Sequence, residues 1–114
     1  MIRFRNQNGL VAQVYRHLRA RRYGQWPTLA ALAEHQGISA STFRRQLERE
    51  GRSYQQIKDE VRRAMAFERL REGVMSIAEI AEQAGFQEPS AFHRAFKKWT
   101  GQSPGRYRAR LVGQ

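Results

Sequence analysis

Two stretches of the chain carry polar side chains at matching spacing, and their types suit contacts with the edges of nucleic-acid bases. An arginine guanidinium can pair in a fork with both major-groove acceptors of guanine, and serine or histidine can donate to a single acceptor. On a helix, Phe43 and Leu47 would face inward and leave the polar residues of the first stretch outward. The candidate base-contacting residues are Ser41, Arg44 and Arg45 in the first stretch and Ser90, His93 and Arg94 in the second.

The net charge favours the same class of partner. The chain has 114 residues with 21 Lys and Arg against 10 Asp and Glu, which gives a formal charge of +11. So strong a cationic balance attracts polyanions, and double-stranded DNA is the partner we expect. Two other interpretations remain open. In the first, the arginines simply solvate helix surfaces. In the second, they face an anionic membrane, which is less favoured because no helix pairs a basic face with a wide apolar one.

Several classes of protein are excluded by what the sequence lacks. Cysteine is absent, which removes disulfides, thiolate metal sites and thiol nucleophiles. His93 has no histidine or carboxylate at ligand spacing, and no nucleophile or phosphate-loop pattern is present, so we expect no metal, no cofactor and no enzymatic activity. No run approaches the ~18 apolar residues that span a bilayer, and no secretion signal is present. We expect a cytoplasmic protein without membrane contact, associated with the nucleoid through DNA.

The polar stretches belong to a unit that the chain carries twice. Leu29–Ile38 recurs 48 positions later as Ile77–Phe86, and each copy predicts an apolar helix, a tight turn at Gly37 or Gly85, and a second helix. This is the pattern of a helix-turn-helix. Beyond the turn the offset is 49, so the turn of the second copy is one residue longer. A generic helical repeat is the competing interpretation, but it needs at least three units.

The apolar positions of the two copies also correspond, which predicts one shared packing scheme. Small Ala33 and Ala81 would let the crossed helices approach closely. The residues expected to pack are Leu29, Leu32, Ala33, Ile38, Phe43 and Leu47, matched by Ile77, Ile80, Ala81, Phe86, Phe92 and Phe96.

Helical periodicity without strand alternation predicts an all-α fold with seven helices. The predicted helix starts are marked by caps at Thr28 and Ser39, by capping boxes at Ser53 and Ser76, and by a proline at the first position of each of the last two helices. The predicted helices run from about Asn8 to Arg22, from Thr28 to Gln36, from Ala40 to Glu50, from Ser53 to Glu72, from Ser76 toward Gly85, from Pro89 onward and from Pro104 to Leu111.

A long linking helix over residues 53–73 is expected to join the two copies. About 20 residues at ~1.5 Å each give ~30 Å, close to the ~34 Å of one duplex turn. The two second helices would then reach successive major grooves on one face of the DNA. The linking helix can pack on both copies because it carries two apolar sections, Ile57, Val61 and Met65 followed by Ala66, Phe67 and Leu70.

The second copy resembles the second helix-turn-helix of AraC/XylS-type bacterial transcription regulators. The motifs IAEIAEQAGF, PSAFHRAFKKWTGQSP and the closing YR are specific for that family, and the resemblance covers about residues 8–111. It implies a seven-helix DNA-binding domain with base readout by the six residues given above. It also implies phosphate contacts by Thr28, Arg49, Arg52, Ser76, Lys97 and Lys98.

The resemblance further implies a domain organisation and partners. We predict one DNA-binding domain over residues 1–114, with a first unit at 8–51, the linking helix at 53–73 and a second unit with a closing helix at 76–111. Because such domains usually follow an effector-binding or dimerisation domain, we expect a fragment of a longer regulator that dimerises through the missing part and contacts RNA polymerase. Glu48 stands where the family often has lysine, and it would repel a backbone phosphate.

The sequence therefore predicts sequence-specific binding of double-stranded DNA and transcription regulation. Two rival hypotheses are a basic helical module that grips an acidic protein and a nonspecific nucleic-acid binder. The second rival is disfavoured because the outward arginines repeat at matching positions and no aromatic stacking platform is evident.

Overall fold

The computed structural model describes residues 9–112, and this range contains seven α-helices, one 3-10 turn and no strand. The all-α, seven-helix prediction is therefore confirmed, while Asn8, the predicted start of the first helix, lies outside the described residues. None of the helices in this range is long and apolar enough to cross a membrane. The helices are α1 (Leu10–Arg19), α2 (Leu29–Gln36), α3 (Ala40–Arg49), α4 (Tyr54–Glu72), α5 (Ile77–Gln83), α6 (Pro89–Thr100) and α7 (Pro104–Val112), with the 3-10 turn Tyr23–Gln25 between α1 and α2.

Polar caps fix where the helices begin, as the sequence predicts. The hydroxyl oxygens of Thr28 and Ser39 each accept a hydrogen bond from the N–H three residues on, at 3.0 and 3.1 Å. At the start of α4, the Ser53 N–H donates to Gln56 Oε1 at 2.9 Å and the Gln56 N–H donates to Ser53 Oγ at 3.1 Å. Pro89 lies in the first turn of α6, where its missing N–H breaks no intrahelical bond.

The first helix is shorter than predicted, and the Trp26 side chain lies at its end. α1 ends at Arg19 rather than at Arg22. The indole N–H of Trp26 donates to the carbonyls of Leu18 at 3.0 Å and Arg21 at 3.2 Å. The Leu18 carbonyl also accepts from the Arg21 N–H at 3.1 Å, three positions on, so the chain turns there. The indole adds a hydrogen-bond donor for carbonyls at and beyond the end of α1.

The chain divides between Val61 and Arg62 into two compact units, here called unit 1 and unit 2. In unit 1, α3 packs against both α1 and α2. Its core is aliphatic apart from Phe43 and Tyr54, and the Tyr54 hydroxyl donates to the carbonyl of Pro27 at 2.6 Å. Burial raises the pKa of Tyr54 to about 12. The buried side chains of unit 1 are Val14, Leu18, Leu32, Ala33, Phe43, Leu47, Tyr54, Ile57 and Val61.

A carboxylate far along the chain caps the start of α1. The N–H groups of Leu10 and Val11 donate to the two oxygens of Glu50, at 2.9 and 3.0 Å. These are orphan donors in the first turn of a helix, which lack intrahelical partners, and a negative charge there also interacts favourably with the helix dipole. The residue that ends α3 therefore caps the beginning of α1 through its side chain.

Unit 2 has an aromatic core in which α6 packs against α5 and α7. The ring of Phe96 lies within 5.2 to 6.0 Å, centroid to centroid, of the rings of Phe67, Phe92, Trp99 and Tyr107. Tilted and edge-on aromatic pairs of this kind are favourable beyond the area they bury. The buried cluster consists of Ala66, Leu70, Ile80, Ala81, Phe92 and Phe96, with Phe67, Met75, Ile77, Phe86, Trp99 and Tyr107 packed around it.

Candidate nucleic-acid interface

The turns of the two helix-turn-helix units are closed by equivalent hydrogen bonds. In unit 1 the Ile38 N–H donates to the Ala33 carbonyl at 3.0 Å, and in unit 2 the Phe86 N–H donates to the Ala81 carbonyl at 2.9 Å. Gly37 at φ 75° and Gly85 at φ 89° supply the left-handed conformation that this turn requires. From these glycines the next helix begins at residue 40 in unit 1 and residue 89 in unit 2, so the predicted extra residue in the second turn is present.

The inner faces of α3 and α6 are firmly held. Phe43, Leu47, Phe92 and Phe96 are each at most 1% exposed. Because the inward residues are four positions apart, each helix has one rotational setting on its core, and this setting fixes which residues face outward. The predicted packing positions are therefore correct, with Leu29, Ile38, Ile77 and Phe86 half-buried and the other eight buried.

The outer faces of the same helices carry the six predicted base-contacting residues, and all six are exposed. On α6 the ring of His93 stands edge-on to the buried Phe92 ring, with 6.4 Å between centroids. This contact holds the imidazole close to its own helix. The exposed set comprises Ser41, Arg44 and Arg45 on α3 and Ser90, His93 and Arg94 on α6. The structure contains no nucleic acid, so their contacts with bases stay a prediction.

The six predicted phosphate-contacting residues fall into two kinds. Arg49, Lys97 and Lys98 are exposed cations at the ends of α3 and α6. Arg52 is half-buried and forms an ion pair with Glu60, which partly neutralises its charge within unit 1.

The remaining two predicted phosphate contacts are helix caps. Thr28 and Ser76 accept hydrogen bonds from the N–H groups three residues on, at 3.0 and 3.1 Å. The Glu79 carboxylate in turn accepts from the Ser76 N–H at 2.8 Å. The backbone N–H and the hydroxyl of Ser76 lower the pKa of the Glu79 carboxyl. Any phosphate would meet at Ser76 a helix start that already holds a negative charge.

Arg62 and Arg108 position the second helix-turn-helix through contacts that were not predicted from the sequence. Arg62 Nε donates to the Ala84 carbonyl at 2.7 Å, and its guanidinium lies 4.3 Å from the centre of the Phe86 ring. Both contacts fall on the turn between α5 and α6. The hydrogen bond and the cation–π contact together hold this turn against the α4 segment of unit 2.

Arg108 ties α7 to the end of α4. Its Nε, Nη1 and Nη2 donate to the carbonyls of Leu70 at 3.3 Å, Met75 at 2.5 Å and Arg69 at 3.2 Å. Leu70 and Arg69 belong to the last turn of α4, where a cation suits the helix dipole, and Met75 lies in the segment between α4 and α5. The only sequence signal for this role was the Tyr-Arg ending of the resemblance.

α3 and α6 each provide a binding surface. Over residues 9–112 no group of three His, Asp or Glu side chains is placed to hold a metal ion. What the two units offer instead is a pair of helices with buried apolar inner faces and exposed outer faces of arginine, serine and histidine. These features define a DNA-binding protein of the helix-turn-helix class.

Comparison with known proteins identifies the family. The family model described as "Helix-turn-helix domain" matches residues 32–110. The chain is 41% identical over 102 residues to the ornithine utilization regulator of Pseudomonas aeruginosa, which is 90% of this chain and 30% of that protein. It is 34% identical over 84 residues to the transcriptional regulator VqsM of the same organism, 74% of this chain and 26% of that protein. The chain belongs to the AraC-type helix-turn-helix family of DNA-binding domains found in transcription regulators.

Solved structures have the same fold. A DNA-binding transcriptional dual regulator from Escherichia coli K-12 superposes with a TM-score of 0.83 at 25% identity, covering 93% of this chain and 95% of that chain. The C-terminal domain of AraT, a response regulator from Geobacillus stearothermophilus, gives a TM-score of 0.70 at 30% identity over 87% of this chain and 83% of that one. The chain spans between a quarter and a third of the length of these curated relatives, 30% for the first and 26% for the second.

Proposed function

We propose that this chain recognises specific sequences of double-stranded DNA by placing α3 and α6 in the major groove, and that it thereby regulates transcription. One observation carries the proposal. Both helices present serine and arginine at matching exposed positions above an inner face that is at most 1% exposed. Base recognition requires side chains of this kind on a support that does not rotate.

Each candidate residue has a role that follows from its chemistry. Arg45 and Arg94 occupy matching positions, and each would pair with the O6 and N7 acceptors of a guanine. Ser41 and Ser90, in the first turns of their helices, would each contact one base or one phosphate. Arg44 and His93 differ between the copies at one position, so we expect the two half-sites to differ in sequence there.

The exposed cations at the helix ends would anchor the protein on the backbone. Lys97, Lys98 and Arg49 would each neutralise a phosphate, a contact that sets position and salt dependence but carries no sequence information. We assign Arg52 a smaller share because it pairs with Glu60. Thr28 would contribute through the N-terminus of α2, whose N–H groups favour anions. We assign Ser76 a smaller share because the Glu79 carboxylate already occupies the start of α5.

We further propose that the two helices occupy successive major grooves. α4 has 19 residues, which corresponds to ~28 Å of helix. One turn of B-form duplex is ~34 Å. The binding site would then consist of two short blocks about one helical turn apart.

The proposal also includes interactions that involve parts of the protein outside this domain. The relatives named above are full regulators of which this chain spans between a quarter and a third. In a protein of that size we propose that dimerisation and signal binding reside outside this domain and that the DNA-bound protein contacts RNA polymerase. Its work would be binding rather than catalysis, in the cytoplasm and on the nucleoid.

The test is selection of bound duplexes from a random pool, followed by affinity measurements on the selected and a scrambled sequence. We expect two preferred blocks about one turn apart. Arg94→Ala should weaken binding to the selected duplex by ~1 to 3 kcal/mol with little loss on the scrambled one. Lys98→Ala should weaken both equally. Exposed Arg71, at the end of α4, provides a charge-matched control in Arg71→Ala. An equal loss on both duplexes for Arg94→Ala would contradict base recognition by that residue.

A further inference from the structure

Unit 2 contains a basic cleft where α6 ends and α7 begins. The cleft is open and measures about 580 Å³. Three of its lining side chains are cations, and within the described part of the chain none of the lining residues is acidic. The cleft is lined by Lys97, Gly101, Gln102, Ser103, Arg106 and Arg110.

We propose that this cleft is a clamp for a backbone phosphate of the DNA, with Arg106 and Arg110 as contact residues additional to Lys97. The proposal rests on the proposed function, since it assumes that α6 lies in the major groove. The clamp would bind the phosphodiester through charge and the fork of guanidinium donors, and it would do so irrespective of base sequence.

The geometry of α6 places the cleft beside the backbone. α6 has 12 residues and is therefore ~18 Å long, whereas the major groove is ~12 Å wide. If His93 and Arg94 reach base edges, the last turn of α6 extends beyond the groove. Lys97 is four positions after His93 and lies on the same face of the helix. The phosphates that border the groove then pass the end of α6, where the cleft opens.

The first turns of α7 complete the cation set. Arg106 and Arg110 are four positions apart and exposed, so their guanidinium groups share one face of the helix. The Arg106 N–H is occupied by Ser103 Oγ at 3.2 Å, and this cap fixes where the helix begins. Gln102 also lines the cleft, and its buried Oε1 has no hydrogen-bond partner within the described residues.

The equivalent place in unit 1 has the opposite charge, which makes the cleft a property of one unit. Gly51 and Gly101 both have φ 84°, and Ser53 caps α4 through the Gln56 N–H as Ser103 caps α7 through the Arg106 N–H. This offset of 50 places Gln56 and Glu60 where unit 2 has Arg106 and Arg110, and the offset of 49 across α3 and α6 places Glu48 where unit 2 has Lys97. Arg52 stands where unit 2 has Gln102, and its charge is paired with Glu60. Three cations are thus matched by two acids and an amide. Unit 2 should hold the backbone more strongly than unit 1.

The experiment compares the double variant Arg106→Ala/Arg110→Ala with the charge-matched control Arg22→Ala/Arg71→Ala, using the full chain and duplexes obtained by selection. Arg22 and Arg71 are exposed and lie outside the cleft. Affinity is measured on selected and scrambled duplexes over a range of salt concentrations, and circular dichroism checks that both variants fold. Each phosphate contact contributes ~0.9 to the slope of log Kobs against log salt.

For one lost contact we expect the slope of the cleft variant to fall by ~0.9 relative to the control, with a roughly eightfold loss at 0.1 M salt on both duplexes. A slope equal to that of the control overturns the clamp. The proposed function is judged separately, by whether the control variant still prefers the selected duplex over the scrambled one.

A second arm locates the phosphate. Single phosphates next to the block read by α6 are replaced with neutral methylphosphonates. One replacement should weaken the unaltered protein and the control but leave the cleft variant unaffected, because that contact is already lost. If every replacement weakens all three proteins equally, the cleft binds at most free phosphate ions and the proposal is wrong.

Discussion

Replacing Arg108 tests whether one guanidinium secures the end of α4 in unit 2. Its three nitrogens donate to the carbonyls of Arg69, Leu70 and Met75. A hydrogen bond that involves a charged group contributes ~1.5 to 3 kcal/mol. Only the Met75 contact, at 2.5 Å, is short, while the others at 3.2 and 3.3 Å are at the long end of the normal range.

The side chain is half-buried, so water can replace part of what is lost. We assign ~1.5 kcal/mol to the short hydrogen bond with Met75 and ~0.5 kcal/mol to each of the two long hydrogen bonds with Leu70 and Arg69. Arg108→Ala should then lower the free energy of unfolding of unit 2 by ~2 to 3 kcal/mol. Arg108→Lys, which has a single ammonium in place of the fork, should retain about half of that.

The measurement is urea unfolding followed by tryptophan fluorescence. The chain has two tryptophans, and Trp99 packs against the core of unit 2. In a Trp26→Phe background the signal therefore reports on unit 2. The expected change is a lower midpoint at an unchanged slope with urea.

Arg110→Ala is the matched control, because Arg110 is an exposed arginine on the same helix and its loss should change stability by no more than ~0.5 kcal/mol. Equal stability of the Arg108→Ala and Arg110→Ala variants would refute the argument. So would a lysine variant as stable as the unaltered protein.

Two further predictions concern unit 1. Gly37→Ala should lower the free energy of unfolding by ~1 to 2 kcal/mol through backbone strain alone, because φ is 75° and an added Cβ meets nothing within 4 Å. Gly37→Asn should lower it less in the same urea titration, because asparagine tolerates this conformation better. Equal losses for the two variants would contradict a backbone origin. Burial raises the pKa of Tyr54 to about 12, which favours the neutral phenol in the folded state. The contribution of Tyr54 to the free energy of unfolding should be complete below pH 10 and decline between pH 10 and 12, by at most ~2.7 kcal/mol. Tyr54→Phe should therefore lose less stability than the unaltered protein over that pH interval, and parallel curves would show that Tyr54 does not titrate in this way.

The helix starts could be predicted from the sequence because capping is local. Ser39, Ser53 and Ser76 each bond to an N–H three positions on, and this pattern is visible in the chain itself. Helical periodicity likewise predicted which side chains of α3 and α6 are buried and which are exposed. That the exposed ones contact bases remains a prediction.

What the sequence did not disclose depends on residues far apart in the chain. Arg62 and Arg108 reach carbonyls 22 and 33 to 39 positions away. No local rule assigns a guanidinium to a particular distant carbonyl. The basic cleft had a partial signal, since Arg106 and Arg110 are four positions apart, but its third cation comes from another helix.

The capping of α1 by Glu50 links the opening motions of two helices in unit 1. The N–H groups of Leu10 and Val11 donate to that carboxylate. Amides at the end of a helix ordinarily exchange freely with solvent. The exchange rates of these two should instead follow the fraying of the last turn of α3. The amide signals of Leu10 and Val11 would thus report how often the last turn of α3 unfolds.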